Sequence, residues 1–140
     1  MTLLSMPRQA LILRGLPQGD RAPNGRILVV DDEALVRSLL VTFLSGEGFE
    51  AIAAADAFEA IEQIEVRHFD LILMDLHMPG MDGEELLMAL LDQGVSIPII
   101  IVSGCVDTEA IPSDCVYAVL KKPARMQDLV VKVREALCVC

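Results

Sequence analysis

The sequence predicts an α/β domain, a parallel sheet covered by helices on both faces. Short apolar runs bounded by turn residues recur along the chain, and between them lie stretches with apolar residues at helical spacing. Runs that short without a polar break are strands buried on both faces. Strands that alternate with helices join by right-handed crossovers into a parallel sheet. In addition, several of these runs end on an acid, a serine or a lysine. In such sheets the carboxyl ends of the strands frame the crevice where ligands bind.

Residues 1–24 carry Pro7, Pro17 and Pro23, scattered arginines and no clean period. They are expected to form a loosely ordered extension ahead of one domain over 25–140. Ile27 to Val30 is the first strand and ends on Asp31 and Asp32. Val36, Leu39, Leu40, Phe43 and Leu44 then give one helical face, closed by Gly46 and Gly48. Phe49 to Ala53 is a weaker strand, expected at or near an edge. Asp56 with Glu59 resembles a capping box ahead of the helix that buries Ala60, Ile61 and Ile64.

The third strand, Leu71 to Met74, stops at Asp75 in the run DLILMDLHMPGMDG. A helix from Gly83 to Leu91 follows, with Glu84 and Glu85 in the first turn, where the helix dipole favours acids, and Gly94 ends it. Pro98 to Val102 is the fourth strand, followed by Ser103. Val116 to Leu120 is the fifth, followed by Lys121 and Lys122. Pro123 opens the last helix, whose face is Met126, Leu129, Val130, Val133, Ala136 and Leu137.

The bulk numbers narrow the function. At 140 residues, 54% hydrophobic and 23% charged, the chain has the size and composition of one compact domain. A net charge of −10 argues against a nucleic-acid surface, which needs a basic patch, and points to protein partners or small cations. No apolar span is long enough for a membrane helix. Arg8 interrupts the apolar N-terminus and no small-residue cleavage site follows, so a signal peptide is not expected. Four cysteines without paired metal-type spacing point to reduced thiols and a cytoplasmic location.

In a parallel sheet Asp31, Asp32, Asp75, Ser103 and Lys122 open onto one edge. Carboxylates ~4 Å apart repel by about 4 kcal/mol per pair at an effective dielectric of 20. The cluster therefore either holds a cation, for which a few oxygen ligands with room for water suit Mg²⁺, or shares a proton. Lys122 needs an anion nearby, and Asp75 is the candidate. Ser103 either caps a helix or donates to an anion bound at Asp75. A carboxylate nucleophile, a divalent cation, a lysine and a hydroxyl make a phosphoryl-transfer site.

With those residues in hand, the chain resembles a receiver domain of the two-component response-regulator family over about Arg26 to Ala136. The resemblance rests on the Asp31–Asp32 pair, the run from Asp75 to Gly83, Ser103 after an Ile-rich strand, and Lys122–Pro123. It implies a flavodoxin-like, doubly wound five-stranded sheet of order 2-1-3-4-5. It implies that Asp75 accepts phosphate from a histidine kinase or a histidine phosphotransfer protein. It further implies Mg²⁺ held by Asp32, Asp75 and the His77 backbone carbonyl, with Asp31 reaching the ion through water, Lys122 contacting the phosphate, and a cis Lys122–Pro123 bond.

Two departures stand out. The family's usual aromatic switch position, three before the lysine, is Val119, and Tyr117 stands nearby but out of phase. The stretch from Ser103 to Lys122 is short, contains Pro112 and lacks an apolar stripe. The crossover helix between strands four and five, at Val106 to Ser113, is therefore expected to be shortened or mobile.

The reading that follows is a stand-alone phosphorylation switch, not an enzyme, whose expected output is binding another protein, passing phosphate onward or draining it from a kinase, since the last helix is followed directly by Cys140. One alternative is a receiver-like scaffold not switched by phosphorylation. The other is an Asp-nucleophile, Mg²⁺-dependent phosphatase of the haloacid-dehalogenase type, which places its nucleophile in a DxD motif after the first strand, whereas here adjacent acids stand there.

Overall fold

The computed structural model describes residues 24–76, 83–104 and 116–138. Extension residues 1–23, His77 and the 106–113 crossover lie outside the described residues, as do the expectations placed on them.

Five strands form one parallel sheet of order β2-β1-β3-β4-β5. They are β1 (Arg26–Val30), β2 (Glu50–Ala54), β3 (Leu71–Met74), β4 (Ile99–Ser103) and β5 (Val116–Lys121). The described helices are α1 (Ala34–Gly46), α2 (Ala57–Val66), α3 (Gly83–Asp92) and α4 (Met126–Cys138). Order and strand type agree with expectation, including β2 at an edge.

Alternation along each strand sends successive side chains to opposite faces. Ile27, Val29, Leu71, Leu73 and Ile100 pack under α1 and α4, against Leu40, Leu44, Leu129 and Val133. Leu28, Val30, Ile72, Met74 and Ile101 pack under α2 and α3, against Ala57, Ala60, Leu86 and Leu90. Each fully buried Leu or Ile of this kind contributes about 1.5–3 kcal/mol. The central strands are apolar throughout because both faces are covered.

The Asp56 cap is as expected: its carboxylate accepts from Glu59 N–H at 2.8 Å, while the Glu59 carboxylate accepts from Ala55 N–H at 2.7 Å. Helix α1 runs through Gly46 and is capped at Glu47, and Gly48 just beyond takes a φ of +95° that favours glycine.

Two expectations need correction. Pro123 does not open the last helix. The helical ladder starts with Leu129 N–H donating to the Arg125 carbonyl, and Pro123 stands in a bend after a cis Lys122–Pro123 bond. Residues 122–125 turn the chain across the sheet edge and are not available to the helix. Leu39, placed on the buried face of α1, is 51% exposed, because it borders a gap between α1 and α4.

The bulge between β4 and β5 accounts for Tyr117. On a regular strand residues 117 and 119 would share a face. Here Ile99 pairs with Val116 and Ile100 with Ala118, so Tyr117 is skipped and stands partly exposed, whereas Val119 packs on the core beneath α2 and α3.

Candidate functional site

Strand register brings the polar residues together. Val30 pairs with Met74, so Asp31 and Asp75 emerge side by side, and Asp75 N–H donates to the Val30 carbonyl at 3.0 Å. Met74 pairs with Ile101, which puts Ser103 close to the same height. Ser103 pairs with Lys121, and Lys122 N–H donates to the Ser103 carbonyl at 2.9 Å.

Asp31, Asp32 and Asp75 each offer a carboxylate oxygen within 4.8 Å of the others, with Asp31 and Asp75 buried and Asp32 exposed. Oxygen donors at this spacing, open to water on the Asp32 side, suit a hard divalent cation. The Lys122 ammonium donates to Asp75 Oδ2 at 2.9 Å and to Asp31 Oδ2 at 3.0 Å. The sequence reading gave Lys122 only Asp75. It engages both because adjacent strands place both acids on one side of it.

Burial lowers the Lys122 pKa, but hydrogen bonds and charge from Asp75 and Asp31 together outweigh it and hold the ammonium above its ordinary 10.5. Its stabilising contribution is complete at pH below that ordinary value and is lost only as pH climbs through the raised one.

Ser103 is the last residue of β4 and wholly buried, and its hydroxyl has no hydrogen-bond partner among the described residues. A buried hydroxyl without a partner lowers stability by about 1–3 kcal/mol. Ser103→Ala is therefore expected to leave stability unchanged or raise it by about 1 kcal/mol in urea unfolding, while slowing any reaction that uses the hydroxyl. A loss of stability above about 1 kcal/mol would show that the hydroxyl already has a structural role.

Two positioning residues were not singled out from sequence. Arg37, on the first turn of α1, donates to the Asp31 carbonyl at 2.8 Å, and Asp31 Oδ1 accepts from Glu33 N–H at 2.9 Å. Together they fix the acid-bearing loop. A cation near a helix N-terminus opposes the dipole, and that misfit was the available signal. Gly83 lies against the backbone of Asp75 and Leu76 and donates to the Leu76 carbonyl at 2.7 Å. In the sequence Gly83 closes the run that starts at Asp75 and opens a helix, and nothing there shows the close approach.

A doubly wound sheet of this order, with acids and a lysine at its carboxyl edge, defines the CheY-like class. The chain matches the response regulator receiver domain over residues 27–134 and belongs to that family. Members are phosphoacceptor signalling domains of two-component systems, in which phosphorylation on aspartate is typical. Response-regulator homologues work with histidine kinases or phosphotransfer proteins.

The chain is 44% identical over 79 residues to the two-component response regulator PhoP of Pseudomonas aeruginosa, which covers 56% of this chain and 35% of PhoP. A solved receiver domain protein (CheY-like) from Methanospirillum hungatei superimposes with a TM-score of 0.77 at 32% identity, covering 81% of this chain and 94% of that one. TrrA of Thermotoga maritima, solved in complex with Mg²⁺ and BeF, gives 0.73 at 29% identity, covering 79% and 97%. The chain spans between a third and about half the length of the first curated relatives it matches, among them mycobacterial proteins named DNA-binding response regulators. No described helix is long and apolar enough to cross a membrane.

Proposed function

We propose that this chain is a phosphorylation switch in which Asp75 accepts a phosphoryl group from a phosphohistidine on a kinase or phosphotransfer protein. The Lys122 ammonium, bonded to both Asp31 and Asp75, carries this reading. It places a fixed positive charge beside the acid that would gain negative charge.

In the transfer, an Asp75 carboxylate oxygen attacks phosphorus. A new O–P bond forms as the donor's N–P bond breaks, and the electron pair stays on the imidazole nitrogen, which takes up a proton. Lys122 releases part of its contact with the carboxylates to the phosphoryl oxygens, and the Ser103 hydroxyl donates to one of them. Asp32, Asp75 and the His77 backbone carbonyl would hold Mg²⁺, with Asp31 reaching it through water, and the ion supplies charge neutralisation for the transferred group. The product adds about two negative charges and strong acceptors where Ser103 and Lys122 converge, drawing the ends of β4 and β5 inward. Output is contact with a downstream protein, and the setting is the cytoplasm.

A receiver-like scaffold is the second reading, favoured by Val119 where the family's switch residue is usually aromatic. Incubation with Mg²⁺ and a small phosphodonor, followed by intact mass, separates the readings. One added phosphoryl group, absent in Asp75→Asn, is the expected result. An unchanged mass at every donor concentration favours the scaffold, and sustained release of inorganic phosphate favours a phosphatase.

A further inference from the structure

A cavity of about 580 Å³ opens at Asp31, Asp75 and Lys122 and continues into the gap between α1 and α4. Its walls are apolar, with Leu39 and Leu40 from α1, Met126 and Leu129 from α4, and Val102 from β4. This size and lining are typical of a site that takes an apolar group beside a few fixed charges. Leu39 is half in water, and Val102, on an inner strand, is only partly buried. Inner strands of parallel sheets are ordinarily covered on both faces. Apolar surface next to the candidate phosphoacceptor is thus left for an occupant.

The sequence supplies one, and its point of attachment lies at the foot of this gap. The Asn24 side-chain amide donates to the Glu47 carbonyl just beyond α1, and a β-carbon at Gly25 would stand 3.5 Å from Leu137 near the end of α4. The chain ahead of Asn24 therefore joins the domain between the carboxyl ends of the two helices that wall the cavity.

Length permits the return. A helix of 13 residues, like α1 or α4, is about 20 Å long, whereas ten extended residues span about 33 Å. Leu11, Ile12 and Leu13 stand about ten residues ahead of Asn24. Charge fits as well. Residues 1–23 carry Arg8, Arg14 and Arg21 against Asp20 alone, and the cavity mouth sets Asp31 and Asp75, with Asp32 clustered beside them, against one ammonium.

We propose that residues 8–14, Arg-Gln-Ala-Leu-Ile-Leu-Arg, are the occupant. The apolar trio fills the gap between α1 and α4, and a flanking arginine pairs with the acids at the mouth. A tethered segment needs little intrinsic affinity, because its effective concentration is in the millimolar range. Docked this way, the arginine competes with a divalent cation for the carboxylates. By linkage, the cation weakens the docking as much as the docking weakens the cation. The regulatory consequence rests on Asp75 being the phosphoacceptor, whereas the docking does not.

The test uses the full chain. Amide exchange in metal-free buffer is expected to show residues 8–14 protected. Leu11→Asp with Leu13→Asp removes the protection, and so does Leu39→Asp on the opposing wall. Added Mg²⁺ loosens it. Initial phosphoryl uptake from a small phosphodonor is expected to run about three- to tenfold faster in the Leu11→Asp, Leu13→Asp chain.

Exchange of residues 8–14 at unstructured-peptide rates in the unaltered chain overturns the docking, whatever Asp75 does. Protection that appears only with a doubled sedimentation mass assigns the cavity to a second copy and also overturns it. Protected residues in a chain that takes up no phosphoryl group uphold the docking and defeat the phosphoacceptor reading.

Discussion

Lys122→Met is expected to lower unfolding stability at pH 7 by about 2 kcal/mol and to make what remains depend on divalent cation. The ammonium is bonded to two carboxylates whose residues are 3% and 8% exposed. Breaking a buried pair by removing one partner costs about 3–5 kcal/mol. The lysine side chain itself is 27% exposed, so water shares the load and the cost falls below that range, to about 2 kcal/mol. Methionine keeps the apolar stem against the cavity wall, which isolates the charge.

With the ammonium gone, Asp31 and Asp75 lose the cation that both of them bond. Millimolar Mg²⁺ recovers part of the loss at pH 7, since it binds only the folded arrangement of acids. Urea unfolding at pH 7, with and without Mg²⁺, measures both effects. Equal midpoints for variant and parent would mean that the ammonium does not hold the acid pair together.

Gly83→Ala is expected to destabilise by about 3 kcal/mol and to slow phosphoryl uptake. A β-carbon at Gly83 would stand 2.5 Å from the Asp75 carbonyl oxygen and closer still to Leu76 Cα. Both are backbone atoms and cannot swing aside, so either α3 moves off the sheet or the Asp75 peptide shifts with its carboxylate. Helix propensity alone argues the other way, since alanine is favoured over glycine by about 1 kcal/mol within a helix. The two effects have opposite signs, and the unfolding midpoint decides between them. A stabilised Gly83→Ala would show that the contact is loose in solution.

Local chemistry made most of the fold legible. Uninterrupted apolar runs such as Leu71–Met74 and Ile99–Ile101 announce strands covered on both faces, and Asp56 with Glu59 announces a helix start, because the forces involved act over a few residues. The site was legible for a related reason. In a parallel sheet every strand points the same way, so residues that end strands share an edge without any knowledge of distances.

Other features depend on contacts between distant parts of the chain. The bulge that puts Tyr117 and Val119 in different surroundings exists only in the pairing of β4 with β5. The delayed start of α4 and the exposure of Leu39 depend on how the chain crosses the sheet edge and how closely two helices approach.

The order of residues thus determined which strands form, where they end and which polar groups reach the carboxyl edge, since hydrophobic period and turn chemistry are written locally. Tertiary structure alone decided that one ammonium bridges two carboxylates, that Ser103 is sealed in without a partner among the described residues and that Gly83 touches the Asp75 backbone. Those facts are set by strand register and helix approach to within an ångström, and nothing spaced along a linear chain encodes them one residue at a time.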